Sequence, residues 1–218
     1  MIDLTPIEFV RKIEHTLLEP QLSRQDVEAG CAVAVRYDCY AVVVKPHYIE
    51  LARKLLKDTH VKVIAVVGFP HGGSSTAAKM YETQDVVQRG AEEIEMVVNL
   101  GALRDHDDLV VRNDIATVIK VARGHPVTVI LETGLLSDEE KERGCKIAET
   151  TGASFVKTSS DFAPVATTLD DVRLLRATSP LLQVKAAGGI TTREIALGML
   201  SAGAVRIATR ATEEIVSG

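Results

Sequence analysis

The sequence predicts an α/β chain closed into a (β/α)8 TIM barrel with a short N-terminal extension, and three observations predict it. Strand-length apolar runs alternate with helix-length amphipathic segments along the whole chain, and strands separated by helices pair in parallel. The series contains eight strand–helix units, repeating at roughly 25 to 30 residues, the compact limit for such a barrel. No Ser/Gly/Pro-rich linker interrupts it, so residues 1–218 are expected to form a single domain. The competitor is a doubly wound open sheet. The strand count and the lack of a G-x-G-x-x-G after the first run favour the barrel.

The first run covers residues 12–18. Pro20 bars a helix directly after it, and Ser23 caps one running to about residue 37. Residues 41–44 form the second strand, followed by a turn at Pro46 and a helix through about residue 57. The third run, 61–70, is too β-branched and too short to prefer a helix. The loop 71–75 leads from it into a helix ending near Gly90. The fourth run, 93–101, precedes a helix from about 107 to 123. The fifth is 126–133, and Ser137-Asp138-Glu139-Glu140 opens the next helix as a capping box. The sixth and seventh runs, 154–160 and 182–189, each carry a lysine, with helices over 168–179 and 191–203. The eighth is 204–210, with only a short tail after it.

Composition narrows the function classes. The chain is 46% hydrophobic and 25% charged, which suits a globular protein with a sizeable core, and at 4% aromatic that core must be filled by aliphatic side chains. A formal net charge of −5, with no basic block, gives no reason to expect nucleic acid or an anionic membrane as partner. The N-terminal residues lack the basic and apolar regions of a signal peptide, and no apolar run approaches a membrane span. Cys31, Cys39 and Cys145 are odd in number and show no C-x-x-C spacing, so reduced thiols and a cytoplasmic protein are expected.

Burying one ammonium costs several kcal/mol unless it is paired or its pKa falls. Lys157 and Lys185 occupy equivalent places on two apolar runs, so either they snorkel to solvent or they carry chemistry. In a barrel, functional residues gather at the carboxyl ends of strands. Lys45, His71, Asn99, Glu132, Lys157, Thr158, Ser159, Ser160, Lys185, Gly188, Gly189 and Arg210 are the polar residues there. By alternation Glu95, Val97 and Asn99 share one face of the fourth run, and Phe155 shares one with Lys157. If those faces point inward, Glu95, Lys157 and Lys185 converge. A neighbouring ammonium and an apolar setting would lower a lysine's pKa and free an amine that condenses with an aldehyde or ketone to an iminium. The iminium is an electron sink for breaking an adjacent C–C or C–H bond, and the second lysine and the carboxylate would shuttle protons. Competing chemistries find less support. The six histidines show no H-x-x-x-H pairing, and neither a G-x-S-x-G elbow nor a Walker A loop is present.

Six stretches, in order, resemble the 2-deoxyribose-5-phosphate aldolase family across nearly the whole chain. They are Ile13-Glu14-His15-Thr16-Leu17-Leu18, Val66-Val67-Gly68-Phe69-Pro70, Glu93-Ile94-Glu95-Met96-Val97-Val98-Asn99, Leu131-Glu132-Thr133, Phe155-Val156-Lys157-Thr158-Ser159 and Val184-Lys185-Ala186-Ala187-Gly188-Gly189-Ile190. The resemblance implies a class I aldolase with no metal or other cofactor and a (β/α)8 fold. Its reaction would cleave 2-deoxy-D-ribose 5-phosphate reversibly to glyceraldehyde 3-phosphate and acetaldehyde. It further implies Lys157 as the Schiff-base lysine and Lys185 as the lysine that perturbs it and relays protons. Glu95 stands where the family has an aspartate working with that second lysine, and Glu14 makes the same change in the first motif. The extra methylene adds roughly an ångström of reach, and misplacement on that scale can cost about 10²-fold. A homo-oligomer, dimer or tetramer, is also implied.

The departures lie where the family holds phosphate. Thr158-Ser159-Ser160-Asp161-Phe162 replaces the usual Thr-Gly, and Ala208-Thr209-Arg210-Ala211-Thr212 replaces Gly-Thr-Ser-Ser-Gly. Glycine lets backbone amides approach a phosphate and serines donate to it, whereas Asp161 would repel a dianion. Thr158, Gly188, Gly189, Thr209 and Arg210 are the expected substrate-binding residues. Arg210 either supplies the positive charge or pairs with Asp161 and closes the subsite. Two alternatives accompany the aldolase reading: the same iminium chemistry on an altered or non-phosphorylated aldehyde, and a non-catalytic binding barrel.

Overall fold

Eight parallel strands pair in chain order and the eighth returns to the first, closing a barrel. They are β1 (Ile13–Leu17), β2 (Ala41–Val44), β3 (Lys62–Val67), β4 (Glu93–Val97), β5 (Val127–Ile130), β6 (Phe155–Lys157), β7 (Gln183–Ala187) and β8 (Ala204–Thr209). The computed structural model describes residues 4–217. Residues 1–3, on which the signal-peptide expectation partly rests, and residue 218, the last of the expected domain, lie outside the described residues. The helices are α1 (Pro6–Val10), α2 (Arg24–Tyr37), α3 (Ile49–Leu55), α4 (Thr76–Gln88), α5 (Leu100–Arg104), α6 (Asp108–Val121), α7 (Asp138–Thr151), α8 (Leu169–Thr178), α9 (Arg193–Ser201) and α10 (Thr212–Ser217). None of the described helices is long and apolar enough to cross a membrane.

The expected strands and long helices form, and several begin where a side chain caps them. Ser23 and Asp26 make a reciprocal capping box on α2, and Ser137 and Glu140 do the same on α7. Three short helices were not expected: α1, α5 and α10. A Thr5–Glu8 capping box with Pro6 in the first turn starts α1. The Asn99 side chain accepts from Ala102 N at 3.2 Å and starts α5, so the fourth strand stops at Val97 instead of continuing through residue 101. Asn99 is therefore a helix cap and not a strand residue facing inward beside Glu95. Cys31, Cys39 and Cys145 are buried and unbridged.

Alternation divides each strand into two faces. The outward residues, among them Val42, Val44, Val63, Ala65, Ile94, Met96, Val129 and Val184, form one large core with the helices. Inside the barrel Leu18, Ala41, Val43, Ile64 and Val66, from β2, β3 and the residue just after β1, pack into one small apolar cluster. From β4 to β8 the interior mixes apolar residues, among them Val97, Ile130 and Phe155, with charged ones. Across β6, β7 and β8, Lys157 is the register partner of Lys185, and Lys185 of Arg206. The sheet thus sets three cations side by side, with Glu14 on β1 and Glu93 and Glu95 on β4 to neutralise them.

A second ionic contact lies outside the barrel. Lys79 on α4 is fully buried, donates to Val97 O at 3.0 Å and pairs with Asp114 on α6, which also accepts from the Thr76 hydroxyl. This ties two helices to the end of β4. Asp114→Ala is expected to strand the ammonium and cost about 3–5 kcal/mol. Thermal unfolding should show a Tm lower by roughly 10 °C for a chain of this size, and pairing it with Lys79→Met should restore most of the loss.

Candidate active site

Lys157 ends β6, at the carboxyl end of the barrel, and its Nζ donates to Glu95 Oε2 at 2.6 Å. The other oxygen of Glu95 accepts from Lys185 Nζ at 3.0 Å. Lys185 Nζ lies 2.8 Å from Glu14 Oε1 and 3.5 Å from Glu93 Oε2. Arg206 reaches Glu93 Oε2 at 2.7 Å and Glu14 Oε1 at 3.2 Å. Tyr40 OH donates to Glu93 Oε1 at 2.5 Å and accepts from Arg206 at 2.8 Å. The Phe155 ring, two residues before Lys157 on the same face, lies 4.7 Å from Lys185 Nζ and 4.5 Å from the Arg206 guanidinium. Lys157, Lys185 and Glu95, brought together by parity in the sequence, therefore do converge. Neither lysine snorkels, since Lys157 is 2% exposed and Lys185 0%.

The electrostatics differ from the pair of lysines in an apolar setting that the sequence suggested. A carboxylate stands between the two. Burial disfavours the ionised form of Glu95, but Lys157 and Lys185 outweigh it and hold its carboxyl at about 2. Burial likewise works against the Lys185 ammonium, yet Glu14, Glu95 and Glu93 together raise its pKa above the ordinary value. For Glu93, Lys185, Tyr40 and Arg206 overcome burial and lower the pKa. Glu14 goes the other way: burial dominates and raises it despite Lys185. Glu95 thus bridges the two lysines, one oxygen to each.

The mouth is built by the segment after Lys157. Glu132, in a left-handed conformation at φ 60°, accepts from Ser159 Oγ at 2.5 Å and from the backbone and hydroxyl of Ser160. This carboxylate clamps Ser159 and Ser160, two and three residues after Lys157. Asp161, also left-handed at φ 68°, accepts from Gly189 N at 3.1 Å. Gly188 and Gly189 need their freedom here, with φ 98° and 74°. A Cβ on Gly188 would meet Ser159 at 2.9 Å, and one on Gly189 would meet Ala166 at 2.8 Å.

Two of the expected substrate-binding side chains are otherwise committed. The Thr158 hydroxyl is fully buried, donates to Ala187 O and accepts from Ala187 N, both at 3.0 Å, which extends the β6–β7 pairing past Lys157. Thr209 Oγ donates to Ile190 O at 2.7 Å and accepts from Ala211 N at 3.0 Å. Both hydroxyls hold backbone together and have no donor left for a ligand. Arg210 is exposed at the rim and reaches Glu19 at 3.5 Å, so the Asp161–Arg210 pair does not form. Lys45 donates to the carbonyls of Glu19 and Pro20, and His71 is exposed on its loop. Glu93, Arg206 and Tyr40 were missed as members of the site. Glu93 shares the parity of Glu95, and Arg206 is a lone charge inside an apolar strand, so both carried a readable signal.

Residues 11–210 match the family model for DeoC/LacD family aldolase. The chain is 45% identical over 212 residues to the deoxyribose-phosphate aldolase of Dictyoglomus turgidum, covering 97% of each chain. To that of Thermococcus kodakarensis it is 46% identical over 216 residues, covering 97% of this chain and 96% of the relative. The tetrameric deoxyribose phosphate aldolase of Aeropyrum pernix superposes with a TM-score of 0.91 at 28% identity, covering 98% of this chain and 91% of that one.

Proposed function

The chain belongs to the DeoC/LacD aldolase family, and on that premise we propose that it is a class I aldolase that cleaves 2-deoxy-D-ribose 5-phosphate reversibly to glyceraldehyde 3-phosphate and acetaldehyde. The observation that carries the mechanism is the unbroken chain Lys157–Glu95–Lys185, with Lys157 ending β6. The Lys157 amine adds to the aldehyde carbon, and the resulting carbinolamine loses water to an iminium. A base takes the proton of the β-hydroxyl, the bond between the α- and β-carbons breaks, and its electron pair moves into the iminium to form an enamine. Protonation of the enamine carbon and hydrolysis return acetaldehyde and the free lysine. Glu95 and Lys185 move protons to and from the Lys157 nitrogen. Glu95 spans both ammoniums with its two oxygens, so the longer side chain is compatible with the role of the family aspartate.

One observation favours the second reading, an acceptor aldehyde without a phosphate at this position. The Asp161 carboxylate already accepts the Gly189 amide that would otherwise face an anion. The whole chain acting as one catalytic unit, a cytoplasmic location and a homo-oligomeric state, the last supported by the A. pernix tetramer, complete the proposal.

Borohydride reduction in the presence of acetaldehyde, followed by peptide mass spectrometry, tests the chemistry: the adduct is expected on Lys157. Failure to trap any lysine across a panel of aldehydes would leave the binding-barrel reading in its place. Kinetics on paired phosphorylated and free deoxyribose then separates the two substrate readings. A preference for the phosphate ester of tenfold or more in kcat/KM supports the first, and no preference supports the second.

A further inference from the structure

The ionic half of the barrel interior holds three carboxylates, Glu14, Glu93 and Glu95, and three cations, Lys157, Lys185 and Arg206. With every group charged the set is neutral, but Lys157 is then an ammonium and cannot attack a carbonyl. Exporting its proton to solvent would leave a buried net negative charge, which is costly. Moving the proton to a carboxylate within the set keeps it neutral. The geometry distinguishes the three candidates. Both oxygens of Glu95 are taken, by Lys157 and Lys185, and both of Glu93, by Tyr40 on one side and Arg206 with Lys185 on the other. Glu14 places only Oε1 against Lys185 and Arg206, while Oε2 is buried with no hydrogen-bond partner among the described residues.

We infer that Glu14 is the internal proton store of the site, holding on Oε2 the proton that Lys157 must lose to become a nucleophile. This rests on Lys157 being the Schiff-base lysine. A buried carboxylate oxygen with no donor costs more than the same oxygen carrying a proton. The upward shift that burial gives Glu14, against the downward shifts of Glu93 and Glu95, points the same way. The groups facing Glu14 are Lys185 on β7, Arg206 on β8, Lys157 on β6 and Glu95 on β4, with Glu93, Tyr40 and Lys62 joined through the same network. The transfer balances in three moves. Lys185 gives a proton to Glu14 at Oε1, the oxygen it contacts, and a half-turn of the carboxyl brings that proton to the unpartnered position; Lys157 gives one to Glu95, and Glu95 returns one to Lys185. The net change is an ammonium and a carboxylate becoming an amine and a carboxylic acid. Glu14 acts through Lys185 and is a positioning residue for charge, not a group that touches substrate.

Infrared spectroscopy of the full chain at pH 7, in water and in deuterium oxide, tests this directly. A protonated-carboxyl band that shifts on deuteration is expected in the wild type and should be lost in Glu14→Gln. Glu14→Asp should retain such a band at a changed frequency. Should Glu14→Gln fail to fold, wild-type protein labelled with carbon-13 glutamate is expected to move the band to lower frequency, and Glu14→Asp to leave it insensitive to that label. A wild-type spectrum without the band, or a band of full amplitude persisting in Glu14→Gln, would overturn the inference. Borohydride trapping on the same wild-type preparation reports separately on Lys157: an adduct without the band refutes the proton store alone, and the band without an adduct refutes the aldolase reading.

Discussion

Lys157→Ala is expected to reduce aldol cleavage to the level of non-covalent background, a loss of at least about 10³-fold in kcat. A coupled assay for the released aldehyde measures it, and borohydride with acetaldehyde should leave the variant unlabelled. The fold should survive. Glu95 keeps its 3.0 Å contact with Lys185 when Lys157 is removed, so its carboxylate is not left without a cation. Residual activity within tenfold of the wild type would show that another amine does the chemistry.

Lys185→Leu separates catalysis from stability less cleanly. Its Nζ is within salt-bridge distance of Glu14, Glu93 and Glu95, and all four residues are buried. The leucine therefore leaves three interior carboxylates facing Lys157 and Arg206 alone. Removing one partner of a buried ionic set costs about 3–5 kcal/mol, which a shifted denaturant midpoint will report. Catalysis should fall by at least about 10²-fold, because the proton path from Glu95 ends at an apolar side chain. The stability penalty comes from the number of carboxylates gathered on Lys185. An unchanged midpoint together with full activity would contradict both parts.

The barrel was legible because its signals are local and redundant. Each strand sits in a short apolar run, and Ser23, Ser137 and Thr168 mark helix starts in the sequence itself. The short helices α1, α5 and α10 escaped because five or six residues give no periodicity to read, and their starts depend on a single cap or on packing. Parity was enough to bring Glu95, Lys157 and Lys185 together. It was not enough for Arg206, because its place beside Lys185 depends on an irregularity in the β7–β8 register next to Val184, which no local pattern announces. Thr158 and Thr209 show the opposite limit. A strand-end hydroxyl looks the same in sequence whether it waits for a ligand or, as here, holds two backbone segments together.

The Glu14–Arg206 contact spans 192 positions of sequence and lies across the β1–β8 seam that closes the barrel. Synthesis delivers the glutamate well before the arginine. Until β7 and β8 are made, the first strand carries a carboxylate without Lys185 and Arg206, the two cations that contact it. Burial of that strand is therefore expected late in assembly, in a high-contact-order step that closes the ring and pairs the charges together. A chain truncated before β7 is expected to leave its N-terminal strands open to solvent, which hydrogen exchange on β1 would report.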